Sequence, residues 1–331
     1  MDTDLSVSEL PRLHWRVLKT LADGKQHSGQ SIADSLGVSR AAIWKSLKLL
    51  ERGGIEVEHA RGIGYQLIDG SVELLDAAVI RPPGLPYPME LEVFSELAST
   101  NQFLLDCVLG RPQMPFLCLA EYQSQGRGRR GRNWHAPFAT NLNYSLAWPF
   151  EQTTFLSGLS LAIGVIVAES LAAVGVSGVM LKWPNDLIVN EKKLAGILIE
   201  LRGEVGGTVW AVIGVGINVN MSRDELSAID QPWVSCRQVV GTKLSRNLLA
   251  RELTQRLFGG LVCFQEQGFS AFIHRWQSLD WLRDKPVTID RDDGKIAAIA
   301  RGVTEQGLLT VETSAGPVNL SSGEVSVRVA D

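Results

Sequence analysis

The sequence predicts an α+β protein of three parts: an N-terminal winged helix-turn-helix, a central mixed α/β core with a largely antiparallel sheet, and a small SH3-like β-barrel at the C-terminus. Three observations lead to this prediction. The chain has 331 residues, more than one hydrophobic core usually contains. Its first 70 residues have a helix and hairpin pattern of their own, and from about residue 284 the sequence consists of short β segments with glycine turns. We therefore expect domains at 1–70, 71–280 and 281–331.

Apolar residues at helical spacing predict three helices in the N-terminal part. These helices are expected over Leu10–Leu21, just after Ser28, and over Arg40–Arg52. Gly37 allows a tight turn between the last two, and Ser39 is a typical N-cap. Residues 55–58 then alternate with period two, and the chain turns through glycines and returns over 65–68. Three helices and a hairpin indicate a winged helix.

The central part mixes strand and helix patterns, which favours an α+β arrangement with a largely antiparallel sheet. Strands are expected at 91–94, 116–122, 141–147, 179–183, 187–189, 194–201 and 209–215. Helices are expected at 101–109, 156–174 and 246–267. Four later β segments, at 286–290, 295–303, 307–313 and 325–329, predict the small barrel.

Composition and charge exclude several classes of protein. The hydrophobic fraction of 45% and the charged fraction of 21% are those of a globular chain. A net charge of −4 excludes a generally basic DNA-coating protein, so any nucleic-acid contact must come from a local patch. The N-terminus lacks the apolar region of a signal peptide, and the longest apolar run, 155–168, is too short to cross a bilayer. Four cysteines without CxxC spacing are typical of buried thiols, so we expect a cytoplasmic protein that does not bind membranes.

The third predicted helix carries a local excess of cations, because its four basic residues stand against one acid. Together with an arginine in the wing they would contact DNA phosphates, while residues at the start of the helix would reach base edges. The expected DNA-contacting residues are Ser39, Arg40, Lys45, Lys48 and Arg61. A winged helix used for protein contacts is the competing interpretation, because residues 1–70 contain nine Lys/Arg and nine Asp/Glu. Trp44 in this helix would either pack on the sheet or contact a thymine methyl group.

The segment Gly126–Trp134, GRGRRGRNW, is the most informative in the chain. It matches the GxGxxG pattern of dinucleotide-binding proteins, but that fold requires a helix to follow at once, and the next residues, which include Pro137, predict none. The chain also lacks a GxxxxGK[ST] phosphate loop. Guanidinium groups bind phosphate and carboxylate bidentately, and a tryptophan offers a flat face to a purine. We therefore predict a loop that becomes ordered around a bound anion, rather than a solvated basic surface.

The order of four motifs resembles that in biotin protein ligases. GRGRRGRNW, KWPNDL (182–187), KLAGILIE (193–200) and GVGINVN (214–220) follow one another as in that family, preceded by STN (99–101) and EYQSQ (121–125). With the helix-turn-helix in front and the β-barrel behind, the resemblance covers essentially the whole chain. It is similar to the bifunctional kind, which is both ligase and biotin-operon repressor. Lipoate ligases and octanoyltransferases share a similar core, but not GRGRRGRxW followed by KWPND.

The resemblance implies a site for biotin and ATP, with Mg²⁺ as the accompanying metal. The biotin-binding residues would be Ser99, Thr100, Asn101, Gln123, Gly126, Arg127, Gly128, Arg129, Lys193 and Gly196. The residues for ATP would be Arg129, Trp134, Lys182, Asn185, Asp186 and Asn218, the last four in contact with nucleotide or metal. The catalytic residues would be Lys193, Arg127 and Arg129. Trp183 is expected in the core.

The implied reaction has two steps. The biotin carboxylate attacks the α-phosphorus of ATP, and a lysine of the biotin carboxyl carrier protein then attacks the acyl-adenylate. Fixed cations suit the charge that grows in the first step, and no nucleophilic side chain is needed. The sparse histidines agree with this, and we interpret His135, beside the loop, as structural.

The resemblance also implies partners, namely the biotin operator and a second copy of the chain when adenylate is bound. Two alternatives stay open. One is a ligase whose N-terminal module regulates nothing. The other is a ligand-sensing repressor without catalysis, which the intact phosphate-binding residues Arg127, Arg129 and Lys193 argue against.

Overall fold

A computed structural model describes residues 10–52, 55–60, 64–68, 72–109, 111–150, 156–203, 208–221, 231–291, 294–321 and 326–329. The helices are α1 (Leu10–Leu21), α2 (Gly29–Leu36), α3 (Arg40–Arg52), α4 (Ala77–Ile80), α5 (Thr100–Cys107), α6 (Leu159–Ala173), α7 (Cys236–Val240), α8 (Arg246–Gln267) and α9 (Ile273–Ser278). The strands of the first two parts are β1 (Val57–Ala60), β2 (Gly64–Leu67), β3 (Glu90–Leu97), β4 (Phe116–Gln123), β5 (Leu142–Phe150), β6 (Met180–Lys182), β7 (Asp186–Val189), β8 (Lys192–Gly203) and β9 (Val209–Ile217). Those of the C-terminal part are β10 (Pro286–Arg291), β11 (Gly294–Val303), β12 (Leu309–Thr313), β13 (Gly316–Leu320) and β14 (Ser326–Val329).

Helices α1, α2 and α3 pack with the β1–β2 hairpin around a hydrophobic cluster that Ala139 of the central part also joins, which confirms the winged helix. Ser28 caps α2, and Gly37 ends it at φ 69°, a left-handed conformation in which glycine is favoured. The first wing strand begins at Val57, two residues later than predicted, because Ile55 is buried in the helical core and does not pair. Arg61 lies outside the described residues.

The wing is held close to the turn between α1 and α2. Gly64 has φ 141°, and a Cβ atom there would lie 2.2 Å from the carbonyl oxygen of His27. His27 and Tyr65 exchange backbone hydrogen bonds at 2.9 and 2.8 Å. A glycine is therefore needed where the hairpin returns, because any side chain would push the wing off this turn.

The central sheet has the strand order β3-β4-β5-β9-β8-β7-β6. Among the described strands only β3 and β4 run parallel, so the predicted, largely antiparallel sheet is confirmed. Strand β4 shows how both faces are covered. Its Leu117 and Leu119 pack in the cluster that contains α6 and α8, while the alternating Phe116 and Cys118 pack with α5.

The C-terminal part is an antiparallel sheet in the order β13-β12-β11-β10-β14. The strand over 316–320 was not expected from the sequence. In the described part of the chain the outer strands β13 and β14 do not pair, so closure into an SH3-like barrel stays a prediction. The domain boundaries near residues 70 and 280 also stay predictions.

Contacts link all three parts. The ring of Trp15 on α1 and that of Phe138, just after the arginine-glycine loop (residues 126–134), have centroids 5.4 Å apart. Trp183 is 2% exposed, as predicted for a core residue, and its indole N–H donates to the carbonyl oxygen of Gly307 at 3.1 Å. No helix within the described ranges is long and apolar enough to span a membrane.

Candidate active site

A cavity of about 1150 Å³ opens between the arginine-glycine loop and strands β5, β8 and β9. The β6–β7 turn completes its wall, and Asp290 and Val327 of the C-terminal sheet also line it. Most of the predicted ligand-binding residues are in this wall. They are Ser99, Thr100, Asn101, Gln123, Arg127, Gly128, Arg129, Trp134, Lys182, Asn185, Asp186, Lys193 and Gly196. Segments far apart in the sequence thus meet in one place, as the resemblance implied.

Gly126 and Asn218 do not line the cavity that the described residues form. Gly126 lies under Trp134, and a Cβ atom there would be 2.6 Å from the carbonyl oxygen of Trp134. Asn218 is 4% exposed, and its amide nitrogen donates to the backbone oxygens of Lys193 at 3.3 Å and Val234 at 3.2 Å. Asn218 thus supports the strand that carries Lys193, and the ligand contacts expected of Gly126 and Asn218 stay predictions.

The arginine-glycine loop is closed by backbone hydrogen bonds at its base. Gly128 N donates to Arg132 O at 2.7 Å, and Trp134 N donates to Gly126 O at 2.8 Å. Between Gly128 and Arg132 the chain makes a tight turn, in which Arg130 has a left-handed backbone with φ 55°. The next described element is strand β5, which agrees with rejecting the dinucleotide-binding fold.

Arg129 is half-buried in the cavity wall, and its guanidinium donates to Asn185 Oδ1 at 3.4 Å. Burial lowers the pKa of this arginine, the neighbouring Arg130 lowers it further, and Asp186 partly offsets both. An anion bound beside Arg129 would favour its charged form again. This arginine is therefore suited to hold a phosphate or carboxylate.

Lys193 and Asp186 form an ion pair across the β7–β8 hairpin, with Nζ 2.7 Å from Oδ1. The side chains are 17% and 23% exposed, so both reach the cavity while remaining largely covered. Gly196 makes room for the lysine, because a Cβ atom at 196 would lie 3.3 Å from Nζ. The ammonium group is thus held at a defined place in the wall.

The first residues of α5 form a compact polar cluster in the cavity wall. Ser99 caps the helix. Thr100 N donates to Gln123 Oε1 at 2.8 Å, and the hydroxyls of Thr100 and Ser145 are 2.6 Å apart. Ser145 donates in turn to Asn101 Oδ1 at 2.6 Å. Ser99, Thr100, Asn101 and Gln123 are among the residues that the resemblance assigned to biotin, and the structure adds Ser145 to them.

The polar cluster continues to the tryptophan predicted to stack on adenine. Gln123 Nε2 and Trp134 Nε1 both donate to Asn143 Oδ1, each at 3.3 Å. Asn143 Nδ2 donates to the carbonyl oxygen of Ala120 at 3.1 Å, which fixes its orientation. One hydrogen-bonded chain therefore runs beneath the cavity from Asn101 to Trp134.

Two glycines of β9 allow this packing. A Cβ atom at Gly214 would lie 2.4 Å from Asn101 Oδ1, and one at Gly216 would lie 2.5 Å from Trp134 Cε2. Such distances are impossible without displacing the side chain above. The glycines of the GVGINVN motif thus make space for the two ends of the polar chain.

Sequence reasoning missed Asn143 and Ser145, which are each 1% exposed. A signal was present, because both are polar residues at alternating positions of a strand that is otherwise mostly apolar. Alternation in a strand places such residues on one face. It does not show that this face lines a cavity.

Helix α3 carries on its surface the residues that are expected to contact DNA. The predicted contact residues Ser39, Arg40, Lys45 and Lys48 are all exposed. Ser39 also caps the helix, accepting a hydrogen bond from Ala42 N at 3.2 Å. Lys48 pairs with Glu51 at 2.6 Å, which reduces the positive charge of this surface. Trp44 is 54% exposed, so it lies on the surface with these residues.

Three family matches cover most of the chain. The Biotin/lipoate A/B protein ligase family matches residues 93–218. An HTH domain matches residues 16–66, and the Biotin protein ligase C terminal domain matches residues 284–328.

Two curated relatives match this chain over nearly its whole length. The bifunctional ligase/repressor BirA of Salmonella typhimurium is 41% identical over 316 residues, which cover 95% of this chain and 97% of that protein. Its namesake from Escherichia coli is 40% identical and covers 96% and 97%. The structure of biotin protein ligase from Aquifex aeolicus in complex with biotin and ATP is similar with a TM-score of 0.63 and 27% identity, covering 73% of this chain and 99% of that one. The chain therefore belongs to the biotin protein ligase family, in its bifunctional ligase/repressor branch.

Proposed function

We propose that this protein forms biotinyl-5'-AMP from biotin and ATP, transfers the biotin to a lysine of the biotin carboxyl carrier protein, and represses the biotin operon with the adenylate as corepressor. The observation that carries the ligase half is that the polar cluster, the cations and Trp134 all line one cavity. A small carboxylic acid and a nucleotide would meet there at Arg129 and Lys193. We place the reaction in the cytoplasm.

In the first step, Lys193 and Arg129 stabilise negative charge. The biotin carboxylate attacks the α-phosphorus, the bond to the β-phosphate oxygen breaks, and pyrophosphate leaves. Charge grows on the phosphoryl oxygens, where preorganised cations act most strongly. The ion pair with Asp186, at 2.7 Å, supports this role because it orients the ammonium group before a ligand arrives.

Magnesium would enter with ATP. Among the described residues no group of three or more His, Cys, Asp or Glu side chains would hold an ion by itself. Mg²⁺ usually takes one or two carboxylates and completes its shell with phosphates and water. Asp186 fits this mode, and Asp290 is a second carboxylate in the wall. The ion would neutralise phosphate charge during adenylation.

In the second step, the carrier lysine attacks the acyl carbon as a neutral amine. The bond between the acyl carbon and the phosphate oxygen breaks, AMP leaves with the electron pair, and the new amide loses a proton to solvent. The role of this protein in the second step is to shield the mixed anhydride from water until the carrier protein binds. The loop 126–134, which contributes most of its residues to the wall, is suited to that role.

The decisive experiment incubates the protein with biotin, Mg-ATP and the carrier domain and measures the mass of the carrier. We expect the gain of one biotinyl group, together with biotin-dependent exchange between ATP and pyrophosphate. Biotin binding without exchange would instead support a ligand-sensing repressor. The absence of both would reject the ligase.

The repressor half is supported by the winged helix and the exposed residues of α3. A homodimer formed on adenylate binding would present two such helices to a two-fold operator. A gel shift with biotin-operon promoter DNA, with and without biotin plus ATP, tests this. A ligase-active protein that forms no specific complex under either condition would be the monofunctional alternative.

A further inference from the structure

Glu200, near the end of the KLAGILIE motif, contacts two parts of the site at once. Its Oε2 accepts a hydrogen bond from Asn101 Nδ2 at 2.9 Å, and its Oε1 lies 3.6 Å from Arg127 Nη2. The side chain is 29% exposed, so the carboxylate lies at the edge of the site and is not deeply buried. No step of the proposed reaction uses this residue.

The contact between Glu200 and Asn101 constrains the orientation of the Asn101 side-chain amide. Nδ2 donates both to Glu200 and to the carbonyl oxygen of Leu198 at 3.2 Å. Both partners accept only, so Oδ1 must point the other way, where Ser145 donates to it at 2.6 Å. The hydroxyl of Thr100 lies 2.6 Å from the oxygen of Ser145 and continues the cluster. The carboxylate and the Leu198 carbonyl together therefore fix the amide of Asn101 in one orientation.

The contact with Arg127 concerns the arginine-glycine loop. Arg127 is the first of four arginines in this loop, whose charges repel one another. Its guanidinium also donates to Gln102 Oε1 on α5 at 2.8 Å. Glu200 supplies negative charge at the start of the loop, much as Asp186 does near Arg129. This charge lowers the repulsion that opposes an ordered loop.

We propose that Glu200 is a positioning residue that couples the polar cluster beneath the biotin pocket to the arginine-glycine loop, by holding Asn101 in one amide orientation and Arg127 at the edge of the cavity. The proposal rests on the proposed ligase function. It assigns two separable roles to one carboxylate, because the amide needs only an acceptor whereas the arginine needs a charge.

Two substitutions separate these roles. Glu200→Gln keeps an acceptor for Asn101 but removes the charge, so the biotin Kd should stay within about twofold while adenylate dissociates about two- to fivefold faster. Glu200→Ala removes both, so the biotin Kd should also rise about tenfold, with kcat at saturating biotin within about twofold. The matched control is Glu92→Gln, which removes an exposed glutamate from β3 of the same sheet and should behave as the parent protein.

Hydrogen exchange of the loop amides in the ligand-free protein gives a readout that needs no biotin. Faster exchange over 126–134 in Glu200→Gln than in Glu92→Gln supports the loop role, and equal rates overturn it. Equal biotin Kd values for Glu200→Ala and Glu200→Gln overturn the amide role. If the parent protein neither binds biotin nor catalyses pyrophosphate exchange, the proposed function is rejected. The comparison of amide hydrogen-exchange rates then still decides whether Glu200 restrains the loop.

Discussion

Arg246, the first residue of α8, forms a buried ion cluster between the core and the segment that follows the wing. Its side chain is 0% exposed, and Nη1 lies 2.6 Å from Oε2 of Glu121, which is 1% exposed. Its Nη2 donates to the backbone oxygen of Glu73, and its backbone N–H donates to the carboxylate of Glu73 at 2.6 Å. One residue thus joins β4, α8 and the segment after the wing.

We predict a large loss of stability when Arg246 is replaced by methionine. The substitution retains apolar volume but leaves the Glu121 carboxylate buried, with the N–H of Leu75 at 2.6 Å as its donor. Removing one partner of a buried pair typically costs about 3–5 kcal/mol, because the other charge stays uncompensated. The stability of a protein is typically about 5–15 kcal/mol, so this loss is a large fraction of it. Adding Glu121→Gln to Arg246→Met should recover at least half of the lost free energy of unfolding, since the neutral amide keeps an acceptor for the N–H of Leu75.

Urea unfolding followed by tryptophan fluorescence measures these differences as shifts in midpoint. The matched control is Arg256→Met, on the same helix. Arg256 pairs with Glu252 at the same 2.6 Å, but its side chain is 40% exposed. An exposed pair is worth less than about 1 kcal/mol, so the control should change little. The reasoning is refuted when Arg246→Met is no more destabilising than Arg256→Met, or when Glu121→Gln fails to compensate.

Further predictions concern catalysis, the loop, pH and DNA. Lys193→Ala should slow pyrophosphate exchange by about a hundredfold or more without unfolding the protein, and a rate close to the parent's would exclude this lysine from the mechanism. Arg129→Gly should release adenylate faster and label nearby lysines, so an unchanged dissociation rate would contradict the shielding role of the loop. Burial raises the pKa of Asp280 from 3.8 to about 6, so the folded state binds this proton more tightly and stability falls as pH rises across that range. The free energy of unfolding of Asp280→Asn should therefore equal that of the parent near pH 4 and exceed it by up to about 3 kcal/mol near pH 7. Equal unfolding midpoints for variant and parent at both pH values would refute this. Deleting residues 1–70 should abolish specific DNA binding while some adenylation remains, and specific gel shifts by the truncated chain would show that DNA is bound elsewhere.

Local periodicity predicted the longer elements well. Helix α8 has the predicted bounds, because its cap residue and its spacing of apolar residues are properties of neighbouring residues. Helices α4, α7 and α9 and strand β13 have four to six residues each and were missed. Such segments are too short to show a period.

Motif identity predicted which residues would meet, but not how each would be oriented. Lys193, Arg129 and Trp134 line one cavity as expected. Asn218 belongs to an equally clear motif, yet it lies behind the wall. A motif records that a residue type occurs near a site, whereas the backbone around it decides whether the side chain faces the ligand or a neighbouring strand.

The sequence by itself determined the three-part architecture, the family and most of the cavity wall, since these depend on patterns within short segments. Only the tertiary structure decided that Asn143 connects Gln123 to Trp134, that Glu200 orients Asn101, and that Arg246 neutralises Glu121. Arg246 and Glu121 are 125 residues apart in the chain. A polar residue in an apolar strand indicates that a hydrogen-bonding partner is needed, because an unpaired buried polar group is costly. Which residue becomes that partner depends on the distant segment that packs against the strand.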